Sequence, residues 1–118
     1  MATTDALFDT DVFIDHLRGA RQLPRRDASV FYSVVTRAEL FAGQHVQERD
    51  VADLLAPFTE LAIERQIAEV AGRIRRETQL ALPDALIAAS ALELRLTLMS
   101  RNLRHFERVR GLALESPG

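Results

Sequence analysis

The apolar positions of this 118-residue chain change period several times along its length, and each change marks a predicted element. Ala6, Leu7 and Phe8 form a short continuous apolar run that predicts a buried strand. It stops at Asp9, after which Val12, Phe13, Ile14 and Leu17 take up helical spacing as far as Gly19. Residues 20–29 are polar and carry Pro24, which predicts a surface loop. Residues 30–35, β-branched and aromatic, predict a second strand. Thr36 is a favourable N-cap with Glu39 three residues on, a capping-box pattern opening a helix that Gly43 closes. Val51, Leu54, Leu55 and Phe58 repeat at helical spacing, and residues 59–63 predict a short strand. From residue 64 to about 80, Ile67, Val70, Ala71 and Ile74 form one apolar stripe against Arg73, Arg76 and Glu77. Pro83 suits a first helical turn, and the run 85–92, apolar all round, predicts a buried helix whose alanines allow close approach to neighbouring backbone. Residues 96–99 predict a further strand. A helical turn and a short edge strand around 112–114 complete the chain.

Strands alternating with helices predict an α/β fold with right-handed crossovers and a parallel sheet covered on both faces. Ligands of such sheets bind in the crevice beyond the carboxyl ends of the strands, which is where Asp9 falls. Glu39 is predicted to lie just past the second strand. Asp84 is the charged group in the first turn of its helix, where the positive end of the macrodipole favours an anion. Each acid also has an ordinary role available: Asp9 as a helix cap, Glu39 as half of a capping box, Asp84 as a first-turn acid. Gathered along one edge, the three repel one another, and a divalent cation between them is the simplest remedy. Oxygen ligands without histidine or cysteine spacing favour magnesium or manganese over zinc, and such ions activate water and stabilise charge in phosphoryl transfer.

Length and composition are consistent with one domain, residues 1–118, large enough to build a real core. With no cysteine, disulfides and thiolate chemistry are excluded, which is compatible with a reducing cytosol. The longest apolar runs are too short to span a bilayer and the first five residues have no secretory pattern, so a cytoplasmic protein with no membrane partner is expected. A net charge of -2 argues against coating nucleic acid through bulk charge. All fifteen cations are arginine, however, and eight of them fall in two runs: Arg18, Arg21, Arg25 and Arg26, then Arg101, Arg104, Arg108 and Arg110. Arginine's planar fork suits phosphate, although such runs also serve as plain solvated surface.

Four blocks occur in order along the chain: Phe8-Asp9-Thr10-Asp11-Val12-Phe13-Ile14-Asp15, Ser33-Val34-Val35-Thr36-Arg37-Ala38-Glu39-Leu40 with Gly43, Leu82-Pro83-Asp84-Ala85-Leu86-Ile87-Ala88-Ala89, and Ser100-Arg101-Asn102-Leu103-Arg104-His105-Phe106. Together they resemble a PIN-domain nuclease of the VapC toxin type. The resemblance implies a PIN-like three-layer α/β/α sandwich with a short central parallel sheet. It also implies a magnesium- or manganese-dependent endoribonuclease acting on RNA, a homodimer, and a small antitoxin protein of the VapB type that occludes the acidic groove. By motif match, Asp9, Glu39 and Asp84 fall on the family's metal-binding acids. Thr10, Asp11, Ser100, Asn102 and His105 are the supporting candidates. Asp11 stands where the family more often has asparagine, and Ser100 where threonine is more usual. The fourth acid that the last block often carries is replaced by Asn102 and His105 at the two expected places.

Other readings fit less well. A receiver domain or a haloacid-dehalogenase-like phosphatase requires a lysine, which the chain lacks, and the scattered glycines make no phosphate-binding loop. No serine-nucleophile elbow is present. His16 and His45 show no metal spacing and read as surface or packing residues. The alternative from another class is a PIN-like binding or regulatory module that is inactive for want of the fourth acid.

Overall fold

The computed structural model describes residues 5–26 and 28–118. The elements follow in the order β1 (Ala6–Phe8), α1 (Thr10–Leu17), β2 (Val30–Ser33), α2 (Val34–Phe41), α3 (Glu48–Leu55), β3 (Thr59–Leu61), α4 (Arg65–Thr78), α5 (Leu82–Leu94), β4 (Thr97–Met99), α6 (Leu103–Phe106) and β5 (Leu114–Glu115). The strands form one five-stranded sheet in the order β3-β2-β1-β4-β5, parallel throughout. β1 lies at its centre, with Leu7 opposite Phe31 on one side and Leu98 on the other.

Because side chains alternate along a strand, the sheet divides the core in two. Leu7 and Leu98 point to a cluster built with Ile67, Ala71 and Ile74 of α4 and Ala85, Ala88 and Ala91 of α5. Ala6, Phe8 and Met99 point the other way, to Val12 and Phe13 of α1, Leu40 of α2 and Val51 and Leu55 of α3. Helices therefore cover both faces, and the molecule is the expected three-layer sandwich. All three residues of β1 are buried, as a continuous apolar run requires of a central parallel strand.

Several boundaries differ from those the sequence predicts. The second strand ends at Ser33, whose hydroxyl accepts a hydrogen bond from Val35 N–H and caps α2, so Thr36 lies inside the helix and makes no capping box with Glu39. Glu39 accordingly sits in the second turn of α2 rather than directly past the strand. Phe58 lies beyond the end of α3, after Pro57, and packs with its ring 6.2 Å from Phe8 and 5.8 Å from Phe13. The edge strand forms at Leu114–Glu115, slightly later than the apolar residues 112–114 suggest. α4 ends at Thr78 because Gln79 turns left-handed at φ 66°. α5 is buried through its alanines, while Leu82 and Leu94 at its two ends remain about half exposed. No helix among the described residues is long and apolar enough to cross a membrane.

Candidate active site at the carboxyl end of the sheet

The site begins where β1 stops. Asp9 N–H bonds the carbonyl of Met99 on β4, which ties the strand end to its neighbour, and the Asp9 side chain caps α1 by accepting from Thr10 N–H at 2.8 Å. Its second carboxylate oxygen accepts the Ser100 hydroxyl, also at 2.8 Å. Capping and chemistry thus do not compete for Asp9; the cap fixes the carboxylate in place. Asp9 is 6% exposed, and its carboxyl is pushed up to about 7. Burial is the main cause, the Asp11 carboxylate adds to it, and Asp84 contributes in the same direction. The hydrogen bonds from Ser100 and Thr10 oppose the rise.

Asp11 is turned toward the β4–α6 loop. It is the second, more distant acceptor of the one Ser100 hydroxyl proton, which it shares with Asp9, at 3.2 Å, and it accepts the Arg101 backbone N–H at 3.1 Å. Burial raises its carboxyl above the usual range even though these donors and the Arg101 guanidinium pull it down. The Arg101 side chain pairs with Asp15 on α1, its buried Nε lying against a carboxylate oxygen without the angle of a hydrogen bond. Ser100 is fully buried, and its oxygen also accepts Asn102 N–H at 3.0 Å. Asn102 therefore acts here through its backbone.

On the α2 side, Thr10 donates its hydroxyl proton to Glu39 at 2.7 Å and lies 2.9 Å from the Thr36 hydroxyl. Since the Thr10 proton is committed to the carboxylate, Thr36 is the donor in the second bond. On the α5 side, Asp84 meets His105 Nε2 at 2.9 Å, and the imidazole packs edge-on to Phe106.

The three acids singled out from the sequence thus stand on three elements around one sheet end, each held by a neighbour: Asp9 by Ser100, Glu39 by Thr10, Asp84 by His105. They do not close into a single cage. Among the described residues, no group of three or more histidine or acidic side chains is arranged to hold a metal ion. The donor chemistry still fits a hard divalent cation. Asp9 has its carboxyl raised by burial and by the neighbouring Asp11 and Asp84, an environment a cation would relieve, and magnesium is commonly bound through one or two carboxylates while keeping several waters.

Three contributors to the site do not stand out in the sequence. Thr36 reads as a cap there but is the buried donor behind Thr10 and Glu39. Its spacing from Glu39 is the available signal, because residues three apart share a helix face. Asp15 and Arg101 join across the sheet end from distant segments, and no local pattern announces such a pair.

A groove of about 360 Å³ opens beside Glu39, lined by Ile14 and Leu17 of α1, Leu40 of α2 and Val46, together with Arg18 and Asp50.

Known proteins share this architecture. The PIN domain family model matches residues 6–112. Ribonuclease VapC10 of Mycobacterium tuberculosis is 41% identical over 113 residues, an alignment covering 85% of this chain and 84% of that protein. Ribonuclease VapC19 of the same organism is 32% identical over 115 residues, covering 85% and 90%. Among solved structures, a chain of a toxin-antitoxin complex from Klebsiella pneumoniae is 33% identical and matches with a TM-score of 0.78 over 96% of this chain and 98% of that one. A chain of VapBC2 from Rickettsia felis bound to promoter DNA, at 19% identity and a TM-score of 0.79, shares the fold. The chain therefore belongs to the PIN-domain family and, within it, stands with the VapC ribonucleases.

Proposed function

We propose that this protein is an endoribonuclease toxin that cleaves RNA phosphodiesters with the help of magnesium or manganese and is restrained by a small antitoxin of the VapB type. The observation that carries the reading is Asp9: a carboxylate fixed by two hydrogen bonds at a strand end, its proton affinity raised by burial and then by neighbouring acids, in a chain that belongs with the VapC ribonucleases.

Asp9, Glu39 and Asp84 would hold the ion. When bound, it supplies positive charge for the phosphate and activates the attacking water. The chain's own residues do the positioning. Thr10 N–H and the Ser100 hydroxyl keep both Asp9 oxygens in one orientation, Thr10 and Thr36 in series hold Glu39, and His105 holds Asp84. Asp11 and Arg101 anchor the loop that carries Ser100 to α1.

The groove beside Glu39 is the surface an antitoxin segment would cover, its apolar walls suiting an apolar helix and its acidic neighbours a basic residue. A homodimer is part of the same proposal, and the exposed Leu82 and Leu94 at the ends of α5 support it.

Purified protein incubated with RNA, with and without magnesium or manganese, tests the activity. Cleavage that needs the ion and is lost in Asp84→Asn and Asp9→Asn supports the nuclease. Absence of cleavage under all these conditions favours the second reading, a PIN-like binding or regulatory module, for which the lack of a closed three-residue cage among the described residues is the favouring observation.

A further inference from the structure

Beyond the acids lies a cavity of about 290 Å³ between the end of α4 and α6, lined by Thr78, Gln79, Leu80, Arg104, His105 and Arg108. We propose that it is a phosphate subsite, in which Arg104 and Arg108 hold a backbone phosphate of the RNA that flanks the cleaved bond. The inference rests on the ribonuclease reading and adds to it the path of the substrate on one side of the site.

Three features point to an anion of this kind. No carboxylate lines the cavity. Arg104 and Arg108, four residues apart and exposed, make no ion pair or hydrogen bond among the described residues. Arg37 and Arg101, by contrast, are paired with acids, and Arg75 is spent on backbone. On the opposite wall the Thr78 hydroxyl and the backbone carbonyls of Gln79 and Leu80 are already satisfied. Arg75 donates to the carbonyls of Gln79 at 2.7 Å and Leu80 at 2.9 Å, and the Thr78 hydroxyl donates to Ile74 O while accepting from Leu80 N–H. The uncommitted charged groups are thus two guanidinium forks, which match phosphate oxygens bidentately.

Position supplies the rest. His105 belongs to the cavity lining and bonds Asp84, so the cavity begins one hydrogen bond away from the acidic centre. An RNA chain engaged at Asp84 must continue somewhere, and this is an adjoining surface with free positive charge. The imidazole is the only aromatic ring in the lining, and it packs against Phe106. The subsite therefore binds through the sugar-phosphate backbone and not by stacking a base, and it carries no sequence preference.

The test measures binding of short single-stranded oligouridylate to the Asp9→Asn protein over a range of salt concentrations, with parental cleavage of RNA measured in parallel. Replacing both arginines by glutamine on that background is expected to weaken binding at least about tenfold at low salt. It should also reduce the slope of log affinity against log salt by about 0.7 for each phosphate that is no longer neutralised. The comparison pair Arg49→Gln and Arg73→Gln removes the same charge from exposed positions outside the cavity and is expected to change the slope far less. Equal effects from the two pairs, in a protein whose parent cleaves RNA, overturn the subsite and leave the nuclease standing. If the parent neither cleaves nor binds RNA, both readings fall. Unchanged RNA binding together with weakened capture of an acidic peptide also overturns the proposal, and assigns the arginines to a protein partner.

Discussion

Asp9 carries opposing demands that can be separated by substitution. Its folded carboxyl holds a proton up to about pH 7 against 3.8 for the ordinary group, so the folded state binds more protons than the unfolded one between those values. Stability is then expected to fall as pH rises from about 4 to about 7 and to stay lower above that, by an amount on the order of 4 kcal/mol at most. Asp9→Asn removes the charge while its amide can still accept from Thr10 N–H and donate to the Ser100 oxygen. It should abolish metal-dependent cleavage and yet stabilise the metal-free protein at pH 8 by roughly 1–3 kcal/mol, with little difference near pH 4. Urea denaturation of both proteins at the two pH values decides this, and a pH-independent difference would refute the electrostatic account. Thr10 gives a second case. Thr10→Val leaves Glu39 without its donor and strands the Thr36 hydroxyl, so cleavage should fall about 10- to 100-fold, the usual cost of losing an orienting partner of a metal ligand. Thr36→Val, one bond further out, should cost less in activity. If both leave the rate unchanged, the series of hydroxyls has no part in holding Glu39.

The elements show which parts of this arrangement a sequence can reveal. β1, α4 and the alanine-rich α5 are legible because each has a strong period and clear punctuation. Asp9 and Asp84 are legible because they sit at the edges of those elements. The start of α2 is not, because Ser33 and Thr36 are both good caps, and the choice depends on where β2 stops pairing with β3, a tertiary matter. The same ambiguity hides the role of Thr36. Left-handed residues are equally invisible. Arg95 ends α5 at φ 55°, a conformation that costs a side chain with a Cβ roughly 1–2 kcal/mol, though glycine offsets part of this in the unfolded chain. Arg95→Gly should therefore raise stability by a few tenths to about 1 kcal/mol with RNA cleavage unaltered. A loss of stability on denaturation would show that the arginine side chain contributes packing there.

At the scale of the molecule, charge is segregated more than its near-neutral total suggests. Acids collect at the sheet end, and uncommitted arginines flank them on and just after α6. The proposed homodimer has a direct check: Leu94→Glu should shift sedimentation from dimer to monomer and remove the dependence of the melting temperature on protein concentration, with the monomer still folded because Leu94 is about half exposed in the single chain. A parent that sediments as a monomer would remove the dimer from the proposal.

The order of the strands also bears on when the protein becomes dangerous to its maker. Asp9 and the Ser100 hydroxyl that fixes it are 91 residues apart, and β1 is an unpaired edge on one side until β4 exists. During translation the ribosome therefore releases the first acid early and its clamp last, and long-range pairing of this kind is slow to form. The growing chain is therefore expected to stay inert toward RNA until the segment that carries Ser100 has emerged and paired. A nascent chain stalled before Thr97 should accordingly be protease-sensitive and inert toward RNA, while the released chain is neither.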